Sequence, residues 1–241
     1  MDTVVDPAAV ADEVDRRIRG LDAPSVDTVR RVRRDVSAQL EGESGADVVA
    51  VALALIGRQR WVAYEIVYHH PAALDALTVA DVERLGTGLA DWGSVDAFGR
   101  YLSGPAWRRG SIPDATVRGW AASPDRWWRR AALVSTVPLN LAAAGGTGDT
   151  DRTLDICERL VADRDDMVVK ALSWALRELV PRDPDAVRGF LRDHDDAVAA
   201  RVRREVTAKL ETGRKNPGPA RRDGGGHQGD RRSASQASDS G

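Results

Sequence analysis

A single cysteine, Cys157, occurs in the 241 residues. An intramolecular disulfide is therefore excluded, and a cysteine-based zinc site is not expected. No apolar run approaches the roughly eighteen residues that would cross a bilayer. The N-terminal MDTVVDPAAVADEVDRR lacks the basic region and apolar stretch of a secretion signal. These absences predict a cytoplasmic protein with no membrane partner. Strand signals are also missing, since no segment alternates convincingly and no Asn-Gly hairpin turn occurs. There is no glycine-rich phosphate loop after a strand and no Gly-x-Ser-x-Gly elbow. His69-His70 has no partner pair at metal-ligand spacing, so no metal is expected. The net charge of −2 does not by itself mark a nucleic-acid binder.

What is present describes a globular chain. Apolar residues make up 42% and charged residues 30%, enough for one large core or two small ones. The aromatic set is skewed, with seven Trp against two Phe and three Tyr. All seven Trp fall between Trp61 and Trp174. Residues 212–241 contain no Val, Ile, Leu, Met, Phe, Tyr or Trp, and so cannot offset their ordering entropy by burial. The sequence thus divides into a folded body, 1–211, and a disordered Gly/Arg/Ser-rich tail, 212–241. The tail carries a net charge of +3, which leaves the body at −5.

The body reads as successive helices. Val168, Ala171, Leu172, Ala175 and Leu179 share one helical stripe. Leu154, Cys157, Leu160 and Val161 form another, and Val198, Val202, Val206 and Leu210 a third. Residues 50–66 are rich in helix formers. Breaks are expected at Pro71, Gly104-Pro105, Ser123-Pro124, Gly145-Gly146 and Pro181 to Pro184. Caps are expected at Ser25, Thr78 and Asp183. Segments 149–163 with 165–179, and 183–192 with 195–211, form pairs of the length found in HEAT and armadillo repeats. The predicted architecture is an all-α, HEAT-like solenoid whose concave face is lined by one helix of each pair.

Four segments offer chemistry. Trp92 and Asp96 are four residues apart, which on a helix gives one ligand both an aromatic face and a carboxylate. Spacing alone fits a capped helix start with a core Trp at least as well. In Trp127-Trp128-Arg129-Arg130, following Arg126, three arginines within five residues cannot all be buried, and guanidinium groups suit phosphate oxygens. Trp174 lies about one position off the apolar stripe of its helix, at the edge of the helix pair. The run Arg30-Arg31-Val32-Arg33-Arg34 reads either as phosphate contacts or as a solvated helix face.

Together these segments resemble the AlkD-type DNA alkylation repair family of HEAT-like-repeat DNA glycosylases. The family shows Trp-x-x-Val-Asp, then Trp-x-x-Arg-Ala-Ala, then Lys-Ala-x-x-Trp-x-Leu-Arg-Glu. Here they are Trp92 to Asp96, Trp127 to Ala132, and Lys170 to Glu178, in that order. The likeness covers about residues 24–210. It implies excision of cationic alkylated purines, such as 3-methyladenine and 7-methylguanine, from duplex DNA by a monomer without a cofactor. It assigns Asp96 the catalytic carboxylate, Trp92 and Trp174 the aromatic walls beside the lesion, and Arg130 the DNA backbone. Arg129, Arg30, Arg33 and Arg34 add phosphate contacts in this reading, although no motif assigns them. The family is thought not to require base extrusion, and no deep-pocket motif is evident. Gly93 departs from the acidic residue of many relatives, and the acidic body requires its charges to segregate between faces. Two other readings stay open: a non-catalytic HEAT-like scaffold binding DNA or protein, and a Trp-cage reader of methyl-lysine or choline.

Overall fold

The computed structural model describes residues 5–215. The described residues form fourteen α-helices and no strand. In chain order these are α1 (Pro7–Arg19), α2 (Val26–Gln39), α3 (Gly45–Leu55), α4 (Arg60–Tyr68), α5 (Pro71–Ala76), α6 (Val79–Gly86) and α7 (Trp92–Phe98). A π-helical segment, Gly99–Ser103, leads directly into α8 (Gly104–Arg109). There follow α9 (Asp114–Ala121), α10 (Arg126–Asn140), α11 (Thr150–Arg159), α12 (Asp166–Leu179), α13 (Pro184–Asp193) and α14 (Ala200–Thr212).

Two layers result. In one, α2, α4, α7, α10, α12 and α14 stack in sequence, each touching the next. In the other, α1 touches α3, α3 touches α5, α5 touches α8, and α9 touches α11. Pairs such as α3 with α4 and α11 with α12 join the layers. This is an all-α, HEAT-like solenoid.

Local chemistry explains the boundaries. Ser25, Thr78 and Asp183 cap α2, α6 and α13, each accepting a backbone N–H from the first turn. Val168, Ala171, Leu172, Ala175 and Leu179 are each at most 1% exposed. Burying one such Val or Leu side chain contributes about 1.5–3 kcal/mol. Cys157 is fully buried in the core. Val198 is buried one residue before the cap of α14, so the expected stripe begins ahead of its helix. Likewise, 50–66 is two helices, with the chain turning at 56–59 between α3 and α4.

The expected break at Gly104-Pro105 does not occur. The chain stays helical from Trp92 to Arg109, and the wider π turn accommodates the proline, which has no N–H to give to a normal helical bond. Two glycines hold this segment against α10. A Cβ on Gly99 would meet Val134 Cγ1 at 2.6 Å, and one on Gly104 would meet Pro138 Cγ at 2.7 Å. Ser103 and Ser135 hydroxyls share a hydrogen bond of 2.7 Å across the same seam. The close seam fixes α7 relative to α10, and the candidate site spans those two helices. Of the predicted tail, residues 216–241 lie outside the described residues.

Candidate functional site

The start of α7 is set by Asp91, whose carboxylate accepts the Ser94 backbone N–H at 2.9 Å and the Ser94 hydroxyl at 2.6 Å. One turn into the helix, Asp96 faces α10. Arg130 grips it in two parallel hydrogen bonds, Nε donating to Oδ1 and Nη2 to Oδ2, each at 2.9 Å. The third guanidinium nitrogen, Nη1, donates to the Met167 carbonyl at 2.5 Å, in the first turn of α12. Arg130 therefore ties three neighbouring helices of one layer together. Its side chain is 6% exposed, while that of Asp96 is 20% exposed. The arginine is the enclosed partner, and the carboxylate keeps an edge toward solvent.

Burial raises the Asp96 carboxyl above the usual aspartate range, and the charge and hydrogen bonds of Arg130 pull it only part of the way back. A carboxylate in that condition is an oriented anion that also holds a proton more readily than a surface aspartate.

On α12, Lys170, Trp174 and Arg177 recur at helical spacing. Trp174 is partly buried, and its indole N–H donates to Glu178 Oε1 at 3.1 Å. With Arg130, Arg201 of α14 and Lys215, these three line a cavity of about 290 Å³. Two carboxylates temper the positive charge. Asp166 lies 2.6 Å from Lys170 and 3.8 Å from Arg201. Glu205 lies 4.0 Å from Arg177 and 3.8 Å from Lys215. With Asp96 on Arg130 and Glu178 on the Trp174 indole, four acids stand beside these five cations, so the recess is only weakly positive against its indole wall.

The expected residues fall into groups. Asp96, Arg130 and Trp174 come together through Arg130, which bonds Asp96 and shares the recess with Trp174. Trp92 opens α7 and is 62% exposed, although many of its apolar neighbours are buried. Arg129 closes the loop ahead of α10, bonding Asp163 at 2.7 Å and the Ser123 and Pro124 carbonyls. Arg33 is buried, with Nε 3.3 Å from Glu65. Arg30 also binds Glu65, through Nε and Nη2 at 3.2 Å each, and lies 5.0 Å from the Trp61 ring centroid. Arg34 is exposed and makes no ion pair with a described residue. Thus the run Arg30 to Arg34 is no uniform phosphate strip, because Arg33 turns inward to neutralise a buried acid.

The sequence reading missed Glu65 and the convergence of Arg201 and Lys215 on Trp174. A signal existed for Glu65. It follows Trp61 by four residues, as Asp96 follows Trp92 and Glu178 follows Trp174. Nothing local announces Arg201 or Lys215, since their approach depends on how α14 stacks on α12.

Among the described residues no helix is long and apolar enough to cross a membrane. No curated protein and no solved structure matches the chain. A family model described as DNA alkylation repair enzyme matches residues 13–210, a span that runs from α1 into α14 and includes Asp96, Arg130 and all of the recess lining on α12 but not Lys215. The chain belongs to the DNA alkylation repair enzyme family.

Proposed function

We propose that this protein is a DNA glycosylase of base-excision repair, which hydrolyses the N-glycosidic bond of cationic alkylated purines, 3-methyladenine and 7-methylguanine, in duplex DNA. The observation that carries this reading is the Asp96 carboxylate, oriented by Arg130 and still 20% exposed. An N-alkylated purine already bears positive charge, so it departs with the bonding electron pair as a neutral base and needs no acid. The sugar left behind acquires oxocarbenium character, as in glycoside hydrolysis. Asp96 stabilises that charge and directs a water to the anomeric carbon, taking up the proton that the water releases. Its raised pKa suits it to that second task.

Arg130 acts here as a positioning residue for Asp96, because three of its five N–H donors are held by Asp96 and the Met167 carbonyl. Phosphate contact then falls to Lys170, Arg177, Arg201 and Lys215 around the recess, with Arg30 and Arg34 further along the same layer. Such contacts fix register without reading sequence. Trp92 and Trp174 present aromatic faces, which attract both a cationic base and a cationic sugar.

The non-catalytic scaffold keeps one point in its favour. Both Asp96 oxygens accept from Arg130 in the free chain, as a purely structural brace would. Release of 7-methylguanine from methylated duplex DNA, compared between wild type and Asp96→Asn at matched DNA occupancy, separates the two. Release that collapses in the variant supports the glycosylase. A folded wild type that binds DNA and releases nothing overturns it for this lesion.

A further inference from the structure

The helix that carries Asp96 does not stop with α7. It runs on through the π-helical segment, where Gly99, Leu102 and Ser103 are buried and Arg100 and Tyr101 are only partly so. Trp92, Asp96 and Arg100 recur at intervals of four and share one side of the continuous helix. Tyr101 beside them reaches toward α2 and α4. Its ring meets that of Tyr68 edge-on, with centroids 5.4 Å apart, and its hydroxyl lies 3.5 Å from Arg30 Nη2. π turns inside helices recur at functional positions, because they re-aim the side chains that follow.

Arg100 makes no hydrogen bond or ion pair with a described residue. Its guanidinium lies over the Tyr101 ring, 5.6 Å from the centroid, which steadies the group without cancelling its charge. The acids on either side are already matched. Arg130 grips Asp96 one turn earlier, and Arg30 and Arg33 share Glu65 on the α4 side. The Tyr101 hydroxyl accepts from Arg30, and its own O–H finds no acceptor among the described residues. An uncancelled guanidinium beside a spare hydroxyl donor suits a phosphodiester oxygen.

We infer that Arg100 and the Tyr101 hydroxyl form a binding site for a DNA phosphate that flanks the target nucleotide, and that Arg100 positions the sugar of that nucleotide. The identity of the nucleotide rests on the proposed glycosylase reading. Four residues advance a helix by about 6 Å. Arg100 therefore stands one step from the carboxylate that addresses the anomeric carbon, and every sugar within a strand has a phosphate on each side. Holding that phosphate sets the sugar in register with Asp96 without reading the base. A misplacement of about 1 Å can cost about a hundredfold in rate. The recess lined by Lys170, Arg177 and Arg201 lies beyond Arg130 and is a separate site.

The test uses the full chain and a duplex with one 7-methylguanine, in which single phosphates near the lesion are replaced in turn by uncharged methylphosphonate. Affinity across a salt series and base release at saturating protein are both read. Arg100→Ala should lower the slope of log affinity against log salt by about one and slow release about ten- to a hundredfold. Arg100→Lys should restore the slope but only part of the rate, because the planar fork is lost. Tyr101→Phe keeps the ring under Arg100 and should slow release by less than about tenfold. In wild type, methylphosphonate at one of the two flanking phosphates should slow release about as much as Arg100→Ala does. In Arg100→Ala the same replacement should slow it no further. Release at the wild-type rate by Arg100→Ala, an unchanged salt slope, or a flanking-phosphate effect that persists in full in that variant overturns the inference. A wild type that releases no base, yet loses one unit of slope on Arg100→Ala, would sink the glycosylase reading and leave the phosphate site standing. Release that Arg100→Ala leaves untouched would do the reverse.

Discussion

Two neighbouring helices carry the same pattern and use it in opposite ways. In α4, Trp61 is followed by Glu65; in α7, Trp92 is followed by Asp96. Each acid pairs with an arginine from an adjacent helix of the same layer. At Glu65 the carboxylate is the enclosed partner, 5% exposed, and Arg30 is 36% exposed. At Asp96 the exposures invert, with 6% for Arg130 and 20% for the acid. The first arrangement turns a cation outward and suits a phosphate. The second turns an anion outward and suits a developing positive charge. Trp61 is stacked by Arg30 and partly covered, whereas Trp92 stands open. Orientation within the pair, not residue type, sets which of the two charges reaches solvent.

The largest expected effect lies in exchanging these roles. At matched DNA occupancy, Asp96→Asn should lower 7-methylguanine release by about 10²–10³-fold or more. Its stability cost in urea should be roughly 3–5 kcal/mol, because the buried Arg130 loses its charged partner. Glu65→Gln should share the stability cost but not the loss of activity. It strands the buried Arg33 beside Arg30 and should cost roughly 3–5 kcal/mol of unfolding free energy. Where it remains folded, its chemical step should stay close to that of wild type. If the folded Glu65→Gln protein proved as slow an enzyme as Asp96→Asn, the inversion would carry no functional meaning.

The pH dependence comes next in size. Asp96 has a folded pKa raised above its unfolded value, so the folded chain holds that proton more tightly. Excision should therefore rise with pH through an apparent pKa above the ordinary aspartate value of about 3.9. The same group favours folding at low pH, and that contribution is lost as pH rises through the folded pKa. Arg130 supplies the partial offset. Arg130→Ala should thus move the acid limb of the pH–rate profile upward, a shift that a merely structural arginine would not produce. An unmoved limb would remove Arg130 from its positioning role.

Much of this was legible in the residues. The stripe from Val168 to Leu179 and the caps at Ser25, Thr78 and Asp183 are local effects, and periodicity and capping rules capture them. The helical run through Gly104-Pro105 was not legible. A proline usually ends a helix, and the π turn that absorbs it depends on the seam against Val134 and Pro138. Spacing brought Trp92 and Asp96 to one helix but did not say which would be open. Arginine density at 30–34 and 126–130 suggested phosphate contact. Density alone does not reveal that Arg33, Arg129 and Arg130 are committed to acids or carbonyls, because each partner lies more than thirty residues away or in a loop. The cationic recess needed α14 to stack on α12.

The smallest effect tests the outward-facing arginine of the comparison. Arg30 is partly exposed and keeps its charge balanced by Glu65, so its pairing costs little to share with a phosphate. Each phosphate neutralised releases condensed counterions, so Arg30→Ala should lower the slope of log affinity against log salt by about one. Because a backbone contact carries no lesion information, the affinity loss should be equal for methylated and unmethylated duplexes of one length. A filter-binding series over several salt concentrations reads both quantities. A loss confined to methylated DNA would mean that Arg30 acts on the lesion through Trp61, on which it stacks. The two arginine pairs would then serve one lesion site, and the division between an outward cation and an outward anion would fail.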